Sequence, residues 1–217
     1  MKRTLLVLGV FCCVVTFGFV MIPESKMCDN STAGVELKTN MRKLWEDHVT
    51  WTRNVIFNII DDLPGTDQDL KRLLKNQEDI GEAIKPYYGA DASKKLTELL
   101  KTHITEAGDI LKALKSGDDK MVKELSDKWT ANADEISSFL AKANPAWKEE
   151  EMKKMMHTHL ELTTNEAVAR KKKDYEADVK AYDKVHDEIL EMADMLSMGI
   201  VKQFPDKFKS TNTVGEK

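Results

Sequence analysis

Apolar residues recur at spacings of three and four along most of this chain, between short breaks rich in Gly, Pro, Asn and acidic residues. That period matches the 3.6 residues of an α-helical turn and predicts one buried stripe per helix. We expect an all-α fold, an up-and-down antiparallel bundle of about six helices over residues 35–208. The predicted helices cover residues 35–62, 66 to about 85, 91–116, 118 to about 144, 148–173 and 175–203.

The boundary between the last two helices carries neither Gly nor Pro. Basic residues 170–173 give way abruptly to Asp174, Glu176 and Asp178, and cations at a helix end with acids at the next start suit the helix dipole. This favours a turn near residue 173. Thr163-Thr164 is an alternative break, because Thr163 and Glu166 have the spacing of a capping box.

The N-terminus predicts export from the cytoplasm. Lys2 and Arg3 precede an uncharged, mostly apolar run over residues 4–22, which would rise roughly 28 Å as a helix. Residues 1–26 are therefore a signal peptide or an uncleaved membrane anchor, and the run 4–22 would contact the membrane if it is retained. We expect a linker over 27–34, a disordered tail over 209–217, and an extracytoplasmic protein that is membrane-anchored or secreted.

Composition narrows the class of protein. The 217 residues carry a net charge of −4 and no basic stripe, which argues against nucleic acid as a partner. Length predicts one domain with its own core rather than a repeat array. Two of the three cysteines, Cys12 and Cys13, lie in the apolar run, so the exported part keeps only Cys28 and cannot form an internal disulfide.

Motifs of nucleotide-dependent and hydrolytic enzymes are missing from the sequence. There is no Gly-rich phosphate loop, nucleophile elbow, Cys-x-x-Cys or His-Glu-x-x-His. No catalytic residue is assigned, and the sequence favours a non-enzymatic protein over an enzyme.

Histidine placement carries the candidate chemistry. Four of the five histidines, one on each of four predicted helices, fall on apolar stripes at similar heights along the bundle. Imidazoles and carboxylates that converge inside a bundle are ligands for transition metals. We expect a mid-bundle site for Fe, Mn, Zn or Cu, for storage, sensing or redox chemistry. The candidate ligands are His48, His103, His159, His186, Asp183 and Glu166.

Two other interpretations remain open. The buried histidines could form a hydrogen-bonded polar layer that fixes helix register in a non-catalytic cell-envelope interaction or structural module, with a protein partner or a second copy of the chain on an outer face. Methionines could also select copper, although methionine more often fills gaps in a helical core. These methionines are Met152, Met155, Met156, Met192, Met195 and Met198.

Three strings within residues 41–208 resemble a family of exported bacterial helical-bundle proteins without an established activity. They are LWEDHVTWTR at 44–53, NQEDIG at 76–81 and MMHTHL at 155–160. Some members of that family are labelled glycosyltransferase or acetylglutamate kinase, but this chain has no nucleotide or phosphate motif for either activity. The resemblance implies the helical fold and the compartment, and it implies no catalytic roles.

Overall fold

A computed structural model of the chain describes residues 31–209, and these residues are all-helical. The predicted export segment, Cys28 and residues 210–217 lie outside the described residues. The helices are α1 (Thr32–Ile60), α2 (Thr66–Ser116), α3 (Asp119–Ala143), α4 (Glu149–Lys171) and α5 (Tyr175–Gln203), followed by a short 3-10 turn at Pro205–Phe208. The predicted all-α class is confirmed.

Side-chain caps start several of these helices. Asp118 accepts a hydrogen bond from the backbone N–H of Met121, and Asp174 does the same for Ala177. Each cap satisfies an amide that has no partner within its own helix. The cap at Asp174 separates α4 from α5 at the predicted charge reversal, and Thr163 lies inside a continuous α4.

Helix α2 covers the second and third predicted helices and changes direction inside its length. Gly89 has φ 83° and ψ 176°, a region that residues with a Cβ rarely adopt. Residues beyond Gly89 contact residues before it, since Lys101 forms a salt bridge with Glu78 and Gly81 lies against Ser93 and Thr97. We call residues 66–88 and 90–116 the first and second arms of α2.

The helices pack in a closed ring. Each helix contacts the next in the chain, and α5 returns to contact α1. The main core cluster runs through all five helices and contains Met41, Ile80, Leu100, Ile136, Met156 and Ile189 among others. A smaller cluster around Ile56, Leu73 and Leu111 lies at one end.

Aromatic rings close the other end of the ring. Tyr88 contacts the rings of Trp147 and Phe204, and its hydroxyl donates to Gln203 Oε1 at 2.9 Å. Asn144 Nδ2 donates to the same hydroxyl at 2.9 Å. Burial raises the pKa of Tyr88 to about 12, so this hydroxyl keeps its proton. The predicted break at Tyr87–Gly89 therefore belongs to the packed end of the bundle.

Candidate metal centre

The structure brings together three of the four predicted histidines. His48 on α1, His103 on the second arm of α2 and His159 on α4 are 3 %, 3 % and 4 % exposed. The ring centroids of His48 and His159 are 5.8 Å apart. His103 is close enough that a positive charge on His159 lowers its pKa.

Each of these rings makes its hydrogen bond through Nδ1, to a side chain 29 residues further along the chain. The pairs are His48 Nδ1 with Gln77 Nε2 at 3.3 Å, His103 Nδ1 with Asn132 Oδ1 at 2.8 Å and His159 Nδ1 with Glu188 Oε2 at 2.9 Å. Bonding at Nδ1 orients an imidazole and leaves Nε2 for another partner, as in protein metal sites.

Burial keeps two of the rings neutral. Loss of hydration lowers the pKa of His103 to about 3, with a further contribution from charge on His159. The pKa of His48 is also lowered well below its usual value, first by burial and then by His159 and His103. Neutral imidazole is the form that binds a metal ion. Both rings are already uncharged near pH 7, so neither has to give up a positive charge before an ion binds.

His186 and Asp183 lie outside this cluster. The His186 side chain is 30 % exposed and its Nε2 lies 3.3 Å from Glu46 Oε1, while Asp183 is exposed. In the first half of α5 the buried stripe runs through Asp178 and Val185, and Val185 stands one position before the predicted His186. The shift of about 100° turns His186 and Asp183 outward, and α5 contributes Glu188 to the cluster instead.

Glu166 is buried, but its hydrogen bond is to an arginine. The side chain is 1 % exposed, and Arg53 Nη1 lies 2.5 Å from Glu166 Oε1 and 2.9 Å from Asp178 Oδ1. Burial raises the pKa of Glu166 to about 7, although Arg53 and His159 both act to lower it. Glu166 is therefore near the histidine cluster and belongs to the ion-pair network beside it.

Several polar atoms around the cluster are buried without a hydrogen-bond partner. They are Trp45 Nε1, Gln77 Oε1, Trp129 Nε1, Thr163 Oγ1 and Glu188 Oε1. The Trp45 and Trp129 rings lie 5.6 Å and 5.0 Å from the rings of His48 and His103. Buried polar groups are nearly always paired with protein, water or a ligand, so this concentration indicates that water or a ligand belongs in the cluster.

The side-chain positions are not those of a completed metal site. Among residues 31–209, no group of three or more His, Cys, Asp or Glu side chains is arranged to hold a metal ion. The separation of 5.8 Å between two rings is compatible with a shared ion at Zn–N bonds of about 2.0–2.1 Å once the rings rotate. Met152, Met156 and Met192 are buried in the main core cluster, and Met198 is 53 % exposed.

Buried positions recur at a spacing of 55 or 56 residues, and this recurring register explains why the three histidines meet. The sequence-based prediction of a chain without repeats did not include it. His48, His103 and His159 are 55 and 56 residues apart, and buried residues recur with them. On the histidine-bearing helices the buried sets are Met41, Leu96 and Met152; Trp45, Leu100 and Met156; and Val49, Ile104 and Leu160. On the helices that follow them the sets are Ile80, Ile136 and Met192, and Ile84, Leu140 and Leu196.

Gln77 and Glu188 were not predicted as partners of the histidines. The constant spacing of 29 residues to each histidine is the signal that could have found them. Comparisons with protein-family models, curated proteins and solved structures found no match for this chain. Within residues 31–209, no helix combines the length and the apolar character that crossing a membrane requires.

Proposed function

We propose that this chain is an extracytoplasmic helical-bundle protein that holds one transition-metal ion through His48, His103 and His159, for storage, sensing or redox chemistry. The observation that carries the proposal is the meeting of three buried imidazoles from three helices, each hydrogen-bonded at Nδ1 to a side chain of the next helical rod along the chain. Nitrogen ligands held by neighbouring hydrogen bonds are the usual construction of histidine metal sites.

The chemistry of the ligands narrows the metal. Three imidazoles without a nearby thiolate suit Zn, Cu or Fe, whereas Mn prefers oxygen ligands. Glu188 adds one negative charge behind His159 and would partly balance the charge of the ion. A fourth position would remain for water or a small ligand.

The test is a metal analysis of the untagged protein after chelation, dialysis against each metal and removal of the excess. We expect close to one ion per chain in the wild type. His48→Ala, His103→Ala and His159→Ala should each lose most of it, with circular dichroism used to check that the variants remain helical. Surface histidines provide matched controls, and His157→Ala and His186→Ala should keep the ion.

Two results would contradict the metal proposal. A wild-type protein that retains no metal and whose melting temperature ignores added Fe, Mn, Zn or Cu has no such site. Equal retention by wild type and a His48→Ala/His103→Ala/His159→Ala variant would place the ion elsewhere.

The same geometry supports one alternative function. All three rings already have a side-chain partner at Nδ1 without any ion, which is what a structural polar layer requires. In that case the chain is a non-catalytic envelope module, and the metal analysis above returns a metal-free protein.

We also propose that the bundle is up-and-down, with the two arms of α2 counted as separate rods. Contacts between α1 and the first arm support an antiparallel pair, because Asn58 bonds Asp69 whereas the earlier Leu44 bonds the later Asn76. Placement outside the cytoplasm rests on the sequence of residues 1–26, which would act as a signal peptide or membrane anchor.

A further inference from the structure

The recurring register continues into the side chains that hold the histidines. Asn76, Asn132 and Glu188 are separated by 56 residues each. Asn76 Nδ2 donates to the Leu44 carbonyl at 2.9 Å, and Asn132 Nδ2 donates to the Leu99 carbonyl at 3.2 Å. Leu44 and Leu99 each stand four residues before a cluster histidine, so the two asparagines occupy equivalent places.

In two of the three cluster histidines, His103 and His159, the ring proton is on Nδ1. Asn132 Oδ1 and Glu188 Oε2 can only accept hydrogen bonds, so Nδ1 of His103 and of His159 must donate to them. In a neutral ring the lone pair then lies on Nε2. That is the tautomer in which Nε2 can bind a metal ion.

His48 differs from the other two histidines, because the Gln77 amide stands between Asn76 and the His48 ring. Gln77 Nε2 lies 3.1 Å from Asn76 Oδ1 and 3.3 Å from His48 Nδ1. The same nitrogen lies 2.8 Å from the Leu73 carbonyl, which fixes the orientation of the amide, since an oxygen there would face another oxygen. His48 Nδ1 therefore faces a donor.

The Gln77 amide is the polar exception at its position. The equivalent residues, 56 and 112 residues further along, are Ala133 and Ile189, and all three side chains are fully buried. Gln77 Nε2 has three acceptors for two hydrogens, while Gln77 Oε1 is buried without a partner. A buried polar side chain at a register position that is otherwise apolar points to a role at its neighbour His48 rather than in filling the core.

We propose that Gln77 is a positioning residue that holds His48 in the tautomer opposite to those of His103 and His159, with its proton on Nε2. In the metal-free protein His48 then offers a hydrogen-bond donor, not a lone pair, to the centre of the cluster. Binding of an ion at Nε2 requires that proton to move to Nδ1 or to leave the ring. Removal of the Gln77 amide takes away the donor that faces His48 Nδ1, so the proton can then lie on Nδ1, as in the other two rings.

Nitrogen-15 NMR of the metal-free, untagged protein, with the imidazole resonances assigned by single histidine variants, tests this assignment directly. The wild type should show an unprotonated Nδ1 on His48 and a protonated Nδ1 on His103 and His159. In Gln77→Leu, which roughly conserves volume, His48 Nδ1 should become protonated. Gln203→Leu removes an amide far from the cluster and should leave all three rings unchanged.

A second measurement rests on the proposed metal site. Zn affinity measured by chelator competition should be about tenfold tighter or more in Gln77→Leu, the size of effect that partners of metal ligands exert. Unchanged or weaker binding by Gln77→Leu would overturn the role of Gln77 at the metal site.

The two measurements separate the two proposals. A protonated Nδ1 on His48 in the wild type overturns the Gln77 assignment even if Gln77→Leu does not fold, and so does an unchanged His48 in a folded Gln77→Leu. The expected tautomers in a protein that binds no metal would support the Gln77 assignment and contradict the proposed function.

Discussion

Arg53 is the cation that two buried carboxylates share, and Arg170 lies 3.3 Å from one of them, Asp178. Glu166 and Asp178 are each 1 % exposed, and one nitrogen of Arg53 lies within 2.9 Å of both. The guanidinium also lies over the rings of Phe57 and Tyr182. Removing one partner of a buried ion pair leaves charge without compensation, which costs far more than the pair itself contributes.

We therefore expect Arg53→Met to lower the free energy of unfolding by about 3 kcal/mol or more, measured by urea denaturation at pH 8. Lys123→Met is the matched control, because Lys123 and its partner Asp127 are both largely exposed. The control should show no measurable change. Equal behaviour of the two variants would contradict the role given to Arg53.

The buried titratable groups predict how stability depends on pH. The pKa of His103 is about 3 in the folded chain and about 6.5 when unfolded, and that of His48 is shifted in the same direction. Below pH 6.5 these two histidines bind protons in the unfolded chain but not in the folded one. The free energy of unfolding therefore decreases as the pH decreases. Glu166, with its pKa raised from 4.5 to about 7, opposes this between pH 4.5 and 7.

In chelator-treated protein, the two histidines outweigh Glu166 by about one proton near pH 5, and by less toward pH 6.5, where the unfolded histidines are half neutral. We expect the free energy of unfolding to rise with pH by roughly 1–2 kcal/mol per pH unit near pH 5 and less steeply toward pH 6.5. Glu166→Gln should steepen this slope and His103→Asn should flatten it. Urea titrations at four pH values measure the slopes, and a His103→Asn slope as steep as the wild type's would sink the account of the buried rings.

Single residues show what the sequence could and could not predict. The sequence could predict that three histidines lie in the interior, because polar residues on apolar stripes stand out. These are His48, His103 and His159. His186 was misplaced because Val185 and His186 are both within one turn of Ile189, and the choice between them depends on packing. Asp178 and Glu188 were missed because an acidic residue is expected at the surface unless its buried partner is known.

At the scale of elements, the approach of the two arms of α2 depends on a glycine. A Cβ on Gly81 would lie 2.0 Å from Thr97 Oγ1 and 2.9 Å from the Ser93 carbonyl. The equivalent residues, Ser137 and Ala193, are also small and fully buried. Close contact between neighbouring rods thus recurs at this register.

We expect Gly81→Ala to lower the free energy of unfolding by about 1–3 kcal/mol, because the arms must separate to admit the methyl group. Gly108 also lies in α2, and a Cβ there would meet nothing within 4 Å. Gly108→Ala should stabilise the protein by about 0.5–1 kcal/mol through helix propensity. Thermal or urea unfolding of both variants checks the contrast, which fails if both substitutions shift stability in the same direction.

Helix boundaries were largely predictable, since caps and charges are local signals. The start of α5 at Tyr175 and the end of the second arm at Ser116 agree with the predicted positions. Local signals did not show that residues 66–116 pass through the Tyr87–Gly89 break with only Gly89 in a non-helical conformation. They also did not fix the rotation of α5, which Arg53 and Arg170 determine through Asp178.

The whole molecule combines a ring of helices with one register that recurs three times. The recurrence could be read from the spacing of the histidines. It becomes convincing only when the pattern of buried positions is compared as well, because the residue types at equivalent positions differ. Trp45, Leu100 and Met156 share little except that they are large and buried. At this scale the central proposal is that His48, His103 and His159 meet around a common ligand.

X-ray absorption at the zinc edge of the Zn-loaded protein tests that claim most directly. We predict a spectrum with three imidazole nitrogens at about 2.0–2.1 Å and a fourth ligand atom from water or a small molecule. Each of the variants His48→Ala, His103→Ala and His159→Ala should lose one imidazole from the zinc. The spectrum should not change in His186→Ala. A zinc ion bound by one imidazole or none, or a wild-type spectrum unchanged in all three buried-histidine variants, would contradict the account.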